Sequence, residues 1–521
     1  MPLTLFQALF YGVAVFVSSA CGLVIEIVAG RLLAPYVGMS LYTWTAIIAV
    51  VLAGLSAGHW IGGLLAPPQV DARRGARRVA AALAGAAVSS LASLVLLRVL
   101  AGFLLGGGLD AIPAIVALTT ALFLLPSLFV GIVSPILTKL AVDGMPGRHG
   151  RVIGTMYALG TLGSIAGTLL AGYLFISWIG STGTVLTVAG VYAALALAFA
   201  AADRLRVLVV AVLLAAGGGL AWWGGAVRAF DSPCRIESDY FCIRIDDFSA
   251  ETGRPSRLMA LDHLVHSIND RDDPGLLYSP YIHFVGEVTR RRLGAGTPIA
   301  AFFIGGGGFT LPRAWSVGRP GSDLVVAELD PQVSRAAEQF LWWRPAAPGV
   351  SVLHRDARAA LAALPAARRF DLVFGDAFHD ISIPAHLVSR EFHQQIAARL
   401  KPGGFYVVNV VDRGDNPRFL FALVKTLGQD FASVEAWVDP DEAGDPGQGH
   451  GGRTTFVVVA SATGNGDDGR LVASHGLRRA WLRWNPADLA ARVAASDSPV
   501  LSDDFAPVDR LMSGLLLGAE P

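Results

Sequence analysis

Ile299-Ala-Ala-Phe-Phe-Ile304 runs directly into Gly305-Gly-Gly-Gly308 and then Phe309-Thr-Leu-Pro-Arg313. An unbroken apolar run of this length, bounded by glycines, reads as a strand buried on both faces, as in parallel sheets. The glycines let a backbone approach a ligand that any side chain would obstruct. Downstream, a helix pattern starts at Leu311, and strand and helix patterns then alternate, the signature of parallel βαβ units. Strand Leu324-Val-Val-Ala-Glu328 precedes helix Pro331 to Leu341, and strand Val350-Ser-Val-Leu353 precedes helix Ala357 to Leu364. Strand Asp371-Leu-Val-Phe374 is followed by a helix around residues 389–400, then by Lys401-Pro-Gly-Gly404 and strand Phe405-Tyr-Val-Val-Asn-Val410. Upstream, Phe241-Cys-Ile-Arg-Ile245 and Arg257-Leu-Met-Ala-Leu261 read as strands of a small antiparallel lead-in, with Asp262-His263 at the turn.

In an open α/β sheet, ligands bind beyond the carboxyl ends of the strands, and the polar residues of interest fall there. Gly305, Gly306, Gly307 and Gly308 follow the first strand. Glu328 ends the second, where an acid accepts both hydroxyls of a ribose. Asp356 and Ala357 follow the third, with Asp356 placed to accept an adenine amino hydrogen. Asp376, in Gly375-Asp-Ala-Phe-His-Asp380, follows the fourth and stands over the reacting end of the ligand. A glycine run alone often makes only a tight turn, and Asp376 has the plainer alternative of capping its own turn. Acids at successive strand ends turn the combination into a nucleoside site. Phe309, Thr310 and Leu311 break the dinucleotide pattern Gly-x-Gly-x-x-Gly, which favours an adenosyl sulfonium ligand, and the absence of Gly-Lys-Ser/Thr excludes a P-loop.

The 521 residues carry 41 Lys+Arg against 41 Asp+Glu, and that zero net charge argues against a nucleic-acid partner. The average hides an asymmetry. Residues 1–230 hold 12 basic and 5 acidic residues, so the two parts carry charges of +7 and −7. Seven apolar stretches in the first part, about 8–30, 41–66, 79–97, 113–138, 152–178, 183–202 and 205–225, are each long enough to cross a bilayer. The first lacks a basic leader and runs into further spans, unlike a cleaved signal peptide. Gly54 and Gly58, and Gly163 and Gly167, have the four-residue spacing that packs spans closely. Glu26 and His59 inside spans read as a satisfied interhelical pair and an interfacial residue, or as part of a polar path. Arginines after the second, fourth and sixth stretches put the N-terminus in the cytoplasm, and seven crossings then carry the second half outside. Cys234 and Cys242 would form a disulfide in such a compartment. The expectation is a multi-pass protein of the cell (inner) membrane, with the side of its second half open.

The motifs Ile304–Arg313, Ala327-Glu-Leu-Asp-Pro331, His354-Arg-Asp356, Gly375-Asp-Ala377 and Lys401-Pro-Gly-Gly404 resemble the spermidine synthase (polyamine aminopropyltransferase) family, over roughly 235–440. Leu261-Asp-His-Leu-Val-His266 and Tyr278 resemble its hairpin lead-in and substrate-side helix, and the first half resembles the bacterial branch fused behind several spans. The implied architecture is a transmembrane bundle over 1–230, a β lead-in with substrate-side helix over 231–298, and a Rossmann-like domain with a C-terminal extension over 299–521. The resemblance implies a transferase that takes decarboxylated S-adenosylmethionine, or S-adenosylmethionine, as co-substrate and a polyamine or other amine as partner, without a metal. It also implies a homodimer. Carried over by position, Gly305–Gly308 wrap the donor's tail, Glu328 holds the ribose, Asp356 the adenine, and Asp376 takes a proton from the attacking amine. His266, Tyr278, His379 and Asp380 are the acceptor-side candidates. His266 and His283 also read as ordinary hydrogen-bonded strand or helix residues.

Two departures bear on substrate. The family's glycine loop carries an acid for the donor's free amine where this chain has Gly308, and its acceptor helix has Tyr-x-Glu where this chain has Tyr278-Ser-Pro280. Asp270, Asp272, Asp273, His379 and Asp380 are the residues that would compensate. Methyl transfer to an unknown, lipid-presented acceptor is thus a second expectation, and a non-catalytic transporter or sensor a third. The loop 442–452 reads as flexible surface, and Ser502–Asp509 as either a cover for the site or packing.

Overall fold

The computed structural model describes residues 4–66, 71–106, 111–200, 205–345, 347–379, 381–443, 452–464 and 469–517. Asp380 and most of the 442–452 loop therefore lie outside the described residues. The chain forms two compact units, Met1–Pro233 and Cys234–Pro521, so the lead-in belongs to the second.

The first unit contains helices α1 (Leu5–Val37), α2 (Leu41–Leu65), α3 (Ala72–Gly106), α4 (Ala111–Gly144), α5 (His149–Leu170), α6 (Ile176–Ala200) and α7 (Leu205–Ala226). Among the described residues, six helices are long and apolar enough to cross a membrane, where the sequence led us to expect seven. The fifth and sixth stretches are one segment, His149–Ala200, of 52 residues. A π turn, Ala171–Phe175, joins α5 to α6, and the break between the stretches is a kink at Gly180, with φ 70° and ψ 172°, instead of a loop. With six candidate spans, the odd-number step that carried the second half outside falls away. The glycine pairs act where backbones touch. A Cβ on Gly58 would run into the Leu128 carbonyl and Gly131 of α4, and one on Gly163 or Gly167 into the backbone of Phe16 or Ala20 of α1. Such close approach supplies packing energy where lipid tails, as apolar as leucine, supply no drive for helices to associate. Glu26 is half-buried, whereas His59 and Trp60 are exposed on α2.

The second unit opens with a four-stranded antiparallel sheet, β1 (Ile236–Glu237), β2 (Cys242–Asp247), β3 (Ser256–Leu261) and β4 (Leu264–Asp270), with the short helix α8 (Ser249–Thr252) between β2 and β3. A Cys234–Cys242 disulfide, with Cα atoms 5.1 Å apart, ties its start. Helix α9 (Pro280–Leu293) leads to a nine-stranded sheet. Its parallel part is β5 (Ala300–Ile304), β6 (Asp323–Ala327), β7 (Val350–Leu353), β8 (Phe370–Gly375) and β9 (Leu400–Arg413) in the order β9-β8-β5-β6-β7. Helices α10 (Thr310–Gly318), α11 (Pro331–Phe340) and α12 (Ala357–Ala363) connect β5, β6 and β7 onward. The alternation inside each strand explains the two-faced burial: Phe302, Val325 and Val373 enter one core, and Phe303, Val326 and Phe374 the other.

Two features differ from the expectation. Lys401–Gly404 does not separate helix from strand but lies within β9, whose register against β8 slips between Phe370 and Leu372. The sheet is mixed, since β10 (Ser433–Val438), β11 (Arg453–Ser461), β12 (Arg470–Val472) and β13 (Ala480–Arg483) extend it antiparallel beyond β9. The Ser502–Asp509 segment packs: Asp503 pairs with Arg358 at 2.6 Å and Val508 is buried in the core.

Candidate active site

β5 pairs with β6 on one side and β8 on the other, so the strand order reverses between β5 and β8. The crevice that this reversal opens is where doubly wound sheets bind ligands. An open cavity of about 1060 Å³, counting solvent at its mouth, lies there, lined by Gly305–Gly307 after β5, Glu328 after β6, Asp356 and Ala357 after β7, and Asp376–His379 after β8.

The glycine loop is shaped by its neighbours. Gly305 has φ 96°, and a Cβ there would stand 2.6 Å from the Asp376 carbonyl oxygen, so only glycine fits. Glu328 is buried; its Oε2 accepts from the Gly306 and Gly307 amides at 2.8 and 3.2 Å, and its Oε1 from the Asp330 amide at 2.9 Å. Burial raises its pKa against the pull of those three amides. Asp356 caps α12 through the Ala359 amide, 3.0 Å, and accepts from His386 Nε2 at 2.7 Å. Burial would raise its pKa, but these hydrogen bonds outweigh it and hold the carboxyl below its ordinary value. Phe309 is not a ligand group: it is buried and stacks on Trp343 at 4.6 Å.

Asp376 differs from the other two acids of the cavity wall. Its Oδ1 accepts from Asn409 Nδ2 of β9 at 2.8 Å, and Tyr281 of α9 hydrogen-bonds to it. Burial pushes its carboxyl up to about 6, although both hydrogen bonds favour the ionised form. A carboxyl poised near neutral pH in a cleft can take a proton at modest cost.

The acceptor-side candidates fare unevenly. His266 lines the cavity, with Nδ1 3.0 Å from the Leu264 carbonyl oxygen and a pKa lowered by burial. His379 lines the cavity from an exposed loop. Tyr278 is not among the lining residues; its hydroxyl donates to Asp270 at 2.9 Å. Asp270 also accepts from Arg254 Nε at 2.8 Å and from the Asp272 and Asp273 amides, so it is saturated inside a structural knot. Asp272 pairs with Arg271, and Asp273 caps the turn at Gly275. None of these three acids lines the cavity. Three residues after Tyr278, Tyr281 reaches Asp376 instead, because Pro280 starts α9 and puts the next tyrosine on its first turn.

Gly308 has a specific cause. Its amide donates to Ser267 Oγ at 2.7 Å, and a Cβ at 308 would lie 2.5 Å from Ser267 Cβ. Asn269 fastens the same loop by donating to the Gly308 carbonyl at 2.9 Å and accepting from Thr310 Oγ1 at 2.7 Å. An acid at this position is incompatible with Ser267 as it stands. Ser267, Asn269, Tyr281, His386 and Asn409 went unnoticed in the sequence. They lie between the motifs and meet them only in three dimensions, and only the β4 alternation offered a signal for the first two.

No family model matches the chain. Over 114 residues, 22% of this chain and 38% of the relative, it is 33% identical to a polyamine aminopropyltransferase of Vibrio vulnificus (strain CMCP6). The chain is thus similar, over part of its length, to a polyamine aminopropyltransferase. A probable polyamine aminopropyl transferase of Bifidobacterium longum (strain NCC 2705) is 27% identical over 229 residues, 41% of this chain and 48% of that one. The chain thus spans less than half the length of these two relatives. Among solved structures, a probable spermidine synthase from Corynebacterium glutamicum aligns over 52% of this chain and 97% of its own, at 21% identity and a TM-score of 0.43.

Proposed function

We propose that this is a membrane-bound aminopropyltransferase, which moves the aminopropyl group of decarboxylated S-adenosylmethionine to an amine such as putrescine. Asp376 carries the reading: a carboxyl raised to about 6, oriented by Asn409 and Tyr281, beside a glycine loop and Glu328. The amine nitrogen donates its lone pair to the carbon bonded to sulfur. The carbon–sulfur bond breaks, sulfur keeps the electron pair, and methylthioadenosine leaves as a neutral thioether. The new ammonium passes a proton to Asp376. Since the sulfonium carbon is already activated, the cavity contributes alignment, exclusion of water and that proton acceptor. Glu328 exchanges its bonds to the loop amides for the ribose hydroxyls, and Asp356 meets the adenine edge beside His386.

A second reading, methyl transfer from S-adenosylmethionine to an unknown acceptor, draws support from Ser267, which occupies the space of an acid for the donor's amine. Purified full-length protein, given each donor with labelled propyl or methyl carbon and a panel of amines, separates the two. Labelled spermidine with methylthioadenosine supports aminopropyl transfer, and adenosylhomocysteine with a labelled acceptor supports methyl transfer. Donor binding without either product overturns both.

A further inference from the structure

His283 and Glu287 stand four residues apart on α9, on one face of the helix, and His475 approaches them from the loop between β12 and β13, 192 residues beyond His283. One nitrogen of each histidine and one carboxylate oxygen of Glu287 lie within 4.8 Å of one another. Two of the three groups keep an atom without a hydrogen-bond partner. His283 Nε2 donates to the His475 carbonyl at 3.2 Å, because a carbonyl can only accept, and that fixes an unprotonated lone pair on Nδ1. This Nδ1 is buried without a partner. Ser474 Oγ donates to Glu287 Oε1 at 2.7 Å and leaves Oε2, on a side chain whose residue is 4% exposed, buried without a hydrogen-bond donor. His475 Nδ1 stands 3.4 Å from that oxygen, about the edge of a tetrahedron with bonds near 2.1 Å. Arg290 Nε stands 3.9 Å from that oxygen, beyond hydrogen-bonding reach, and the Arg479 guanidinium also bears on His283.

We propose that His283, Glu287 and His475 bind a divalent transition cation of the zinc class, which straps α9 to the edge hairpin of the sheet. Two nitrogens and one oxygen, with outer hydrogen bonds that orient the ligands, suit such a cation better than magnesium or calcium, which take oxygen sets. The role is structural. α9 also carries Tyr281, so the strap holds the helix that orients Asp376, while no ligand belongs to the cavity wall.

The test uses full-length protein carrying a histidine-free purification tag, stripped with chelator and titrated with Co²⁺. Expected are the visible absorption of four- or five-coordinate cobalt at one equivalent per chain, its displacement by Zn²⁺, and a melting temperature that Zn²⁺ raises. His475→Ala, a change at an exposed residue, should weaken Co²⁺ binding by at least about tenfold and abolish the Zn²⁺ shift in melting. His354→Ala, in another exposed histidine, should change neither. Absence of the cobalt spectrum, unaltered affinity in His475→Ala, or equal loss in His354→Ala would overturn the site.

Discussion

On the wall proposed for the nucleoside, Gly305–Gly307, Glu328 and Asp356 follow β5, β6 and β7 in turn, whereas the wall proposed for the amine gathers His266 and Asp376, with its partners Tyr281 and Asn409, from elements far apart in the chain. The first wall is held by its own short-range bonds: Glu328 to the loop amides, Asp356 to the start of α12. The second depends on tertiary packing that brings α9 and β9 together at one carboxyl. A change on the nucleoside wall should therefore alter donor affinity, and a change on the amine wall should alter turnover.

Asp376→Asn is the sharpest way to break that division. It should lower turnover by about 10²–10⁴-fold and leave donor affinity, read by calorimetry, within about twofold. It should also stabilise the fold at neutral pH. Burial raises the Asp376 pKa in the folded protein, so this group's contribution to stability is full below the ordinary carboxylate range and lost as pH rises through about 6. Asparagine keeps the bond to Asn409 without the ionisation, and chemical denaturation at pH 5 and 8 reads the difference.

On the opposite wall, Glu328→Gln should weaken donor binding by about 10–100-fold, since it replaces charge-assisted bonds with neutral ones, while turnover at saturating donor falls much less. The cavity has a further anchor, because Tyr240 and Phe241 line it within the loop closed by Cys234–Cys242. Replacing both cysteines by serine should cost about 2.5 kcal/mol of stability in denaturant unfolding, and maleimide should label Cys234 and Cys242 only after reduction. Such a bond persists in an oxidising compartment, so labelling in intact cells reports on which side of the membrane the second half lies. The smallest and most selective effect concerns Gly308. Gly308→Asp alone should bind donor worse by forcing Ser267 aside, whereas Gly308→Asp with Ser267→Gly should bind decarboxylated donor more tightly than the single variant, by about tenfold if the new acid reaches the amine.

These two walls also differ in what the sequence discloses. Strand, glycine loop and strand-end acid are contiguous, so the alternation of buried runs with glycine and acid located Gly305, Glu328, Asp356 and Asp376. Tyr281 and Asn409 follow no such rule. Each sits inside an ordinary helix or strand, and only the packing of α9 and β9 against the loop after β8 selects it. The apolar runs of the first unit were equally plain, yet the count changed to six because Gly180-Ser-Thr-Gly183, which reads as a break between spans, forms a kink inside one helical segment. The His283–Glu287–His475 cluster is the extreme case, since its partners meet across 192 residues.

The pH dependence of kcat/KM for the amine tests the role of Asp376 most directly. An acidic limb near pH 6, with activity rising as Asp376 ionises, is expected for the native protein. In Asn409→Ala the limb should move to higher pH, because a hydrogen bond that favours the carboxylate is lost. A limb at ordinary carboxylate pH, or one that Asn409→Ala leaves in place, would contradict Asp376 as the group that takes the proton.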